Sequence, residues 1–435
     1  MFSMKNLLKL TAILLFISPI SVFSENNYKN ISDIAISQIF SSGDESAGLS
    51  GGKSFNFSYS ASSVVATPVL PEPRVCAPVL VKGDFSAIPD YSFNHLEEVT
   101  VKLIDASRSS IDVVMYSLTL QDMPDALRRA SDRGVKVRII MDEGHVYPNI
   151  NIHLKELIDA GGIDIRTLRG TRSYGVNHNK IGVFDMAVAS VGSYNWTFSA
   201  TFYNFENMLI VRDNVHVSGF VNYFEWMWAR SRTLEQGASP EVPEGYYGTP
   251  PQAPAAVLAL NGVPVPAYVF SPGSNTEERL SRVIGAAKNT LDVLTFTFSS
   301  KSLADAVVGA KNRGVKVRML MDSTMAKTSA MAKYVFDSGV DFRVRGGRTD
   351  TGALHNKFAI LDGGLLETGS FNWTTNASVN SFENVVFTDN KAALKEYQSQ
   401  FDWFYSSSAV PGVDFFTPNE PFADRDPDEE GLEPF

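Results

Sequence analysis

The sequence predicts an α/β protein of two tandem α/β/α domains that are related by internal duplication and share one site. The pattern H-x-K-x4-D-x6-G-S-x-N starts at His178 and again at His355, with every internal gap unchanged. An upstream stretch, RGVKVR, occurs at residues 133–138 and again at residues 313–318. In each copy, apolar β-runs alternate with amphipathic helical stretches, which is typical of an α/β sandwich.

Each half is predicted to run helix, strand, helix, strand, and then a hairpin that carries the motif. The first helix of each half is amphipathic and covers residues 96–106 or 280–287. The apolar strands cover residues 112–117 and 135–141 in the first half, and 292–298 and 315–321 in the second. Asp142 and Asp322 end the later strands, where a turn or a helix cap is the expected role.

The motif itself is predicted to start a strand, because apolar residues such as Ile181 and Val183 follow it. Side chains two positions apart on a strand share a face, so His178 and Lys180 project together. The same holds for His355 and Lys357. Hairpin turns at Asp185 and Asp362 then return each chain to Gly-Ser-x-Asn.

Two facing copies would surround one phosphate-sized volume with imidazole, ammonium and amide groups. The groups come from His178, Lys180, Asn195, His355, Lys357 and Asn372. The motif contains no carboxylate cluster of the kind that holds a divalent cation. We therefore expect an anion site that uses no metal and no cofactor.

The doubled motif resembles the signature of the phospholipase D superfamily over roughly residues 80–405. Asn-Trp-Thr after each Gly-Ser and the later pairs Glu206-Asn207 and Glu383-Asn384 resemble the branch of phospholipase-D-like endonucleases and cardiolipin hydrolases. Chains of that branch usually carry one motif and work as dimers. Here both copies lie in one chain, as in secreted bacterial phospholipases D, which implies two phospholipase-D-like domains, a monomer and no obligate protein partner.

The resemblance implies a phosphodiesterase that works through a phosphohistidine. One histidine attacks phosphorus, and the other protonates the leaving alcohol and then activates water. The lysines and asparagines hold the non-bridging oxygens. By the same resemblance His178 is the nucleophile and His355 the acid, although residue types alone do not order them. Supporting roles are expected for Asp185, Ser193, Glu206, Asp362, Ser370 and Glu383, with the glutamates accepting from the far ring nitrogens.

Three arginines precede each motif, and their role stays open between steering of a substrate phosphate and a solvated strand end. They are Arg166, Arg169 and Arg172 in the first half, and Arg343, Arg345 and Arg348 in the second. An aromatic cluster of Phe198, Phe202 and Phe205 follows the first motif. Burial in the core is the expected role for such residues, and an apolar rim at the site is the alternative. His95, His145 and His153 receive no catalytic role.

Composition along the chain predicts the domain organisation. We expect a signal peptide at residues 1–24, a Ser/Asn/Gly-rich arm at 25–75, a first domain at 76–236, a Pro/Ala-rich linker at 237–266, a second domain at 267–410 and an acidic tail at 411–435. An uncleaved membrane anchor is the alternative for the N-terminal segment. Cys76 is the single cysteine, so no internal disulfide is possible, which is compatible with a bacterial periplasm or exterior.

The formal net charge is −10, which is not the charge of a general nucleic-acid binder. The expected substrate is therefore the head-group phosphodiester of a phospholipid at a membrane surface. A secreted or periplasmic nuclease that cleaves DNA or RNA without metal is the main alternative. A phospholipid synthase that transfers to an alcohol, and an inactive binding module, are the remaining ones.

Overall fold

The computed structural model describes residues 81–417. The predicted signal peptide and N-terminal arm lie outside the described residues, as do the first residues of the predicted first domain and residues 418–435 of the predicted acidic tail. Within residues 81–417, no helix has the length and apolar character needed to cross a membrane.

The first half is a mixed eight-stranded sheet with helices packed on it. Its strands are β1 (Tyr91–Ser92), β2 (Ser110–Met115), β3 (Lys136–Asp142), β4 (Ile163–Leu168), β5 (Lys180–Phe184), β6 (Val188–Gly192), β7 (Met208–Val211) and β8 (Arg232–Thr233). Its helices are α1 (Leu96–Ala106), α2 (Asp122–Asp132), α3 (Ile152–Ala160), α4 (Phe198–Phe202) and α5 (Asn214–Trp228). The strand order is β1-β7-β6-β5-β2-β3-β4-β8, with β2, β3 and β4 parallel.

The second half repeats this plan after a short hairpin of β9 (Leu258–Leu260) and β10 (Val263–Val265). Its strands are β11 (Tyr268–Ser271), β12 (Thr290–Thr295), β13 (Lys316–Asp322), β14 (Asp341–Arg345), β15 (Phe358–Leu361), β16 (Leu365–Gly369) and β17 (Glu383–Thr388). Its helices are α6 (Thr276–Gly285), α7 (Lys301–Asn312), α8 (Ser323–Thr328), α9 (Ala330–Asp337), α10 (Thr375–Val379) and α11 (Lys391–Ser406). The order β11-β17-β16-β15-β12-β13-β14 matches the first sheet and confirms the predicted duplicated α/β fold.

The repeated upstream residues form the same ion pair in both sheets. Asp112 of β2 lies beside Arg138 of β3, and their side chains meet at 2.7 Å. Asp292 and Arg318 repeat this contact between β12 and β13, also at 2.7 Å. Each guanidinium also lies over an aromatic ring of the long helix that ends its half, in α5 or α11. The pair therefore anchors that helix to the parallel part of the sheet.

The two halves share a hydrophobic core in addition to the core that each has of its own. Tyr223 of α5, in the first half, stacks on Phe270 of β11, in the second, with ring centroids 3.9 Å apart. The segment predicted as a linker also contributes, because Val242 and Tyr247 are buried in this shared core. The packing therefore holds the two motif hairpins in one rigid arrangement.

Glu367 is a buried carboxyl group on β16, at the position where the first half has Ser190. Burial raises the pKa of Glu367 from 4.5 to about 8, although a backbone hydrogen bond from Ala359 acts in the opposite direction. The unfolded chain releases this proton at a lower pH than the folded chain does. The corresponding stability is fully present below pH 4.5 and is lost as the pH rises through about 8.

We expect Glu367→Gln, which resembles the neutral carboxyl, to raise the melting temperature at about pH 9 and to change it little at about pH 5. Calorimetry at the two pH values measures this difference. Glu241→Gln, at an exposed position, is the control and should show no such pH dependence. An equal effect of Glu367→Gln at both pH values would contradict the burial of a neutral carboxyl.

Candidate active site

Each motif histidine lies just before the central antiparallel strand of its own sheet and is bonded to the opposite half. The backbone N–H of His178 donates to the carbonyl oxygen of Phe382 at 3.0 Å. The N–H of His355 donates to the carbonyl oxygen of Phe205 at the same distance. The loop before each motif therefore runs along the segment that precedes the Glu-Asn pair of the other half, which brings the two motifs together.

The ring nitrogens are held in the same crossed manner. Nδ1 of His178 lies 2.8 Å from a carboxylate oxygen of Glu383, and Nδ1 of His355 lies 2.8 Å from Glu206. All four side chains are buried. Because a carboxylate accepts from Nδ1–H, each glutamate fixes the tautomer and the orientation of the histidine ring that it contacts. The two halves thus build one site, and the glutamates contact the histidines as the resemblance implied.

The motif lysines lie inside this site. Nζ of Lys180 donates to the carbonyl oxygen of His178 at 2.8 Å. Nζ of Lys357 lies 3.0 Å from both the carbonyl oxygen and Nε2 of His355. Both side chains are buried. An ammonium group removed from water in this way attracts an anion more strongly than a surface lysine does.

Two aromatic rings that the sequence analysis did not single out complete the walls. Tyr116 packs edge-on against His178 with ring centroids 4.9 Å apart, and Phe296 packs in the same way against His355 at 4.6 Å. The same rings lie 4.9 Å from Nζ of Lys180 and 5.2 Å from Nζ of Lys357. They occupy equivalent positions of the repeat, directly after β2 and β12. This equivalence of two aromatic residues is the sequence signal that could have predicted their place in the site.

The Gly-Ser of each motif brings the hairpin close to the Glu-Asn strand. Gly192 and Gly369 have φ values of 145° and 153°. A Cβ atom at either position would lie 2.2 Å from the carbonyl oxygen of Asn207 or Asn384, so only glycine allows this approach. Asn195 and Asn372, which end the motif, are buried next to these turns.

The motif serines bind the Glu-Asn segments. Ser193 Oγ donates to a carboxylate oxygen of Glu206 at 2.5 Å and accepts from the backbone N–H of Asn207 at 3.0 Å. Ser370 Oγ accepts from the backbone N–H of Asn384 at 3.0 Å. In the first half, the serine therefore orients the glutamate that holds His355.

The motif aspartates fix the hairpins to the backbone before the neighbouring strand. Asp185 accepts the N–H groups of Gly83 and Ser109, each at 2.7 Å, and of Ser110 at 2.9 Å. Asp362 accepts equivalent N–H groups before β12. Burial opposes ionisation of Asp362, but these backbone donors outweigh it and lower its pKa. Both carboxylates hold the turn, one of the two roles expected of them.

Most of the six arginines that precede the motifs pack on aromatic rings. The guanidinium carbon of Arg166 lies 4.1 Å from the ring of Trp228, and that of Arg343 lies 4.1 Å from the ring of Tyr405. The guanidinium carbon of Arg345 lies 4.6 Å from the ring of Trp403, and that of Arg348 lies 4.9 Å from the ring of Phe205. Arg169 lines an open cavity of about 440 Å³ next to the loop before His178 and donates to the carbonyl oxygen of Arg172. Steering of a substrate phosphate by these arginines stays a prediction.

The aromatic residues after the first motif divide into two groups. Phe198 and Phe202 are 49% and 48% exposed, so the expectation that they belong to the core is wrong. The physical reason is that α4 is a five-residue helix that buries only Ala200. Phe205 instead packs against the shared core, with its ring 5.0 Å from that of Phe404.

One group of side chains within residues 81–417 has the spacing of a metal site. It consists of His95, Glu97 and Glu98 at the start of α1. It shares no residue with the paired motifs, and exposed acidic groups of this kind are common without a metal. The motif residues themselves present nitrogen donors and two carboxylates already bonded to histidines, so a metal-free site stays the prediction.

A family model described as "Cardiolipin synthase, PLD-like domain" matches residues 100–228 and again residues 280–405. These two matches cover more than half of the chain. The chain belongs to the phospholipase D-like family. The two matched regions contain the two motifs, so the family resemblance that the motifs indicated is confirmed.

The names of similar proteins are consistent with membership of this family. A Xenopus tropicalis protein described as mitochondrial cardiolipin hydrolase is 34% identical over 172 residues, which are 38% of this chain and 80% of that protein. A Rickettsia prowazekii (strain Madrid E) protein described as phospholipase D is 28% identical over 151 residues, 34% of this chain and 69% of its own length. A Canis lupus familiaris protein described as mitochondrial cardiolipin hydrolase is 33% identical over 145 residues, which are 33% of this chain and 56% of that protein.

Among solved structures, phosphatidylserine synthase from Haemophilus influenzae Rd KW20 has a TM-score of 0.57 at 12% identity. The similarity covers 74% of this chain and 87% of that one, and it shows the fold. Together with the family and its hydrolase relatives, the paired motifs identify this phospholipase D-like chain as a phosphoric diester hydrolase.

We expect His178→Ala and His355→Ala each to reduce phosphodiester hydrolysis by several orders of magnitude, because the reaction that the family resemblance implies uses both imidazoles. The double variant should be little slower than either single variant, since members of a catalytic unit are not additive. Initial rates on bis(4-nitrophenyl) phosphate measure this. His153→Ala, on the surface helix α3, is the control. A near-normal rate in either motif variant, or additive losses, would contradict one shared site.

Proposed function

We propose that this protein is an exported phospholipase D-type hydrolase that cleaves the head-group phosphodiester of phospholipids through a phosphohistidine. The observation that carries the proposal is the single buried site in which each histidine is held by a glutamate of the other half. Two imidazoles with fixed Nδ1 atoms supply the nucleophile and the proton carrier that a two-step displacement requires.

In the first step, Nε2 of His178 attacks phosphorus and the bond from phosphorus to the head-group oxygen breaks. His355 gives its proton to that oxygen, so the head group leaves as an alcohol. In the second step, His355 takes a proton from water while the water oxygen attacks phosphorus, and His178 is released. Lys180, Lys357, Asn195 and Asn372 hold the non-bridging oxygens through both steps. The products are a phosphatidate and a free alcohol.

A phospholipid is the proposed substrate because the surface beside the first motif is apolar. Phe198 and Phe202 are exposed and lie against each other, with ring centroids 4.6 Å apart. Exposed aromatic rings of this kind enter the interface of a lipid bilayer. The names of the relatives, cardiolipin hydrolase and phospholipase D, support the same substrate class.

A nuclease is the alternative outcome. Nucleic-acid binding by a chain of net charge −10 would need a local basic surface. Four of the six arginines considered for that surface instead pack on aromatic rings of the protein. This arrangement favours the phospholipid.

Parallel assays separate the two substrates. The purified protein is incubated with vesicles that contain cardiolipin and phosphatidylglycerol, and with single-stranded and duplex DNA, all in the presence of a chelator. We expect release of the alcohol head group from the vesicles and intact DNA, because His and Lys supply the charge that a metal would bring. DNA cleavage with intact vesicles would replace the phospholipase proposal with the nuclease, and loss of all activity in chelator would contradict the metal-free mechanism.

The exposed aromatic pair provides a second prediction. The double variant Phe198→Ser/Phe202→Ser should bind vesicles more weakly and hydrolyse them more slowly, while it retains the wild-type rate on the soluble bis(4-nitrophenyl) phosphate. Because both side chains are about half exposed, the variant should lose little stability. Val410→Ser/Val413→Ser, at exposed apolar positions elsewhere, is the matched control. Equal losses on soluble and vesicle substrates would contradict a role at the lipid surface.

Export is proposed from the predicted signal peptide at residues 1–24. Its apolar run follows Lys5 and Lys9 and ends just before a predicted cleavage site ahead of Glu25. N-terminal sequencing of the protein recovered from its native cells tests this. A first residue of Glu25 supports export, and a retained Met1 in the cytoplasmic fraction contradicts it.

A further inference from the structure

Two buried aspartates occupy equivalent places at the ends of β3 and β13. A carboxylate oxygen of Asp142 accepts the backbone N–H of Asn177 at 2.8 Å. A carboxylate oxygen of Asp322 accepts the backbone N–H of Leu354 at 2.9 Å. Asn177 and Leu354 are the residues directly before His178 and His355.

The same aspartates also cap the turn that follows each strand. The second oxygen of Asp142 accepts the N–H of His145 at 3.3 Å. The other oxygen of Asp322 accepts the N–H groups of Thr324 at 2.9 Å and Met325 at 3.1 Å. A cap needs only one acceptor oxygen. Capping, the role expected from the sequence, therefore accounts for one oxygen of each carboxylate and leaves the bond to the motif loop unexplained.

The aspartate bond ties the peptide before each histidine to the histidine's own half, and the motif lysine, which donates to the histidine's carbonyl oxygen, adds a second tie within that half. For His178, the backbone N–H and the ring Nδ1 are both bonded to the second half, through Phe382 and Glu383. Asp142 attaches the preceding peptide to the end of β3, a buried strand paired in parallel on both sides. The arrangement repeats for His355 with Phe205, Glu206 and Asp322. Each imidazole is thus fixed from both sheets at once.

We propose that Asp142 and Asp322 are positioning residues that fix the two motif histidines for attack and proton transfer. The inference rests on the proposed phosphodiester chemistry. Neither aspartate touches the reacting atoms in this account. Each fixes the position of its histidine relative to the end of a strand in the histidine's own sheet. A displacement of about 1 Å at a reacting group lowers the rate by about 10²-fold. The occurrence of the bond in both halves makes a chance contact an insufficient explanation.

The electrostatic surroundings of Asp322 agree with this role. Burial raises the pKa of Asp322, and the backbone donors Leu354, Met325 and Thr324 oppose that rise, as does the charge of His355. The carboxylate therefore interacts electrostatically with the second histidine as well as with the peptide before it. Loss of its bond to Leu354 would alter the position of that imidazole directly.

Serine substitutions separate the two roles of each aspartate, which are the bond to the backbone N–H before the histidine (the bridge) and the cap of the following turn. In Asp142→Ser and Asp322→Ser the single hydroxyl still caps the turn, but it is too short and has too few acceptor atoms to hold the motif loop as well. Asp213→Ser is the matched control. Asp213 caps α5 and contacts Nδ1 of His216 at 2.7 Å. In the same way Asp142 caps its turn and contacts His145, but the cap that Asp213 forms lies on α5, away from the loops before the motif histidines. Asp322→Ser removes no contact of the kind that Asp142 makes with the His145 ring, because Met325 stands where the first half has His145.

We expect kcat on bis(4-nitrophenyl) phosphate to fall by about 10- to 100-fold in each bridge variant, with little change in KM and a nearly wild-type melting temperature. The amide hydrogen of Asn177 should exchange faster in Asp142→Ser only, and that of Leu354 in Asp322→Ser only. Wild-type kcat in both variants would overturn the proposal, and so would an equal loss of kcat in Asp213→Ser. A loss of kcat that is fully explained by the fraction of unfolded protein would overturn it as well.

The exchange measurement also separates this inference from the proposed function. If the wild-type protein hydrolyses no phosphodiester, the proposed function fails and the amide data decide the positioning role alone. Faster exchange confined to the residue before the matching histidine, together with a shifted imidazole resonance of that histidine, would support it. Unchanged exchange and unchanged imidazole resonances would overturn it.

Discussion

The crossed pairs between histidine and glutamate are the interaction on which the rest of the structure depends. Each pair joins a ring of one half to a carboxylate of the other, in a place removed from water. Removing one member of such a buried pair leaves the other uncompensated, at a cost of about 3–5 kcal/mol. Neither half can therefore complete its own site, and the shared core around Tyr223 and Phe270 holds the halves in the geometry that the pairs require.

The two copies of the motif have the same residue types in the site, but the residues around them differ. Both provide histidine, lysine, serine and asparagine at matching positions. Outside this set, Tyr116 stands where the second half has Phe296, exposed Phe198 stands where it has Thr375, and Ser190 stands where it has Glu367. The proposed two-step displacement needs two imidazoles that behave differently. The unequal surroundings give two otherwise identical histidines a physical basis for that difference.

The sequence predicts the elements and the motif set well because these depend on local patterns. Helix α1 occupies residues 96–106, as its amphipathic period predicts, and the capping role of Asp142 and Asp322 follows from their places at strand ends. The crossing of the glutamates is not visible in the sequence. Each glutamate follows the motif histidine of its own half at the same spacing in the sequence. Only the packing of one sheet against the other decides that each glutamate contacts the histidine of the other half.

The same limit explains the arginines and the exposed phenylalanines. The guanidinium of Arg166 packs on Trp228 and that of Arg343 on Tyr405, and each partner lies 62 residues further along the chain. No local pattern marks such a contact. The exposure of Phe198 and Phe202 likewise depends on α4 being only one turn long, which leaves one side of the helix in solvent.

The central claim is that each half orients the histidine of the other. Nitrogen-detected NMR of the imidazoles in the wild type, Glu383→Gln and Glu206→Gln tests it most directly, because it requires no substrate. The account predicts that Glu383→Gln changes the Nδ1 resonance of His178 and leaves that of His355 in place, and that Glu206→Gln does the reverse. A change confined to the histidine of the same half as the substituted glutamate would contradict it.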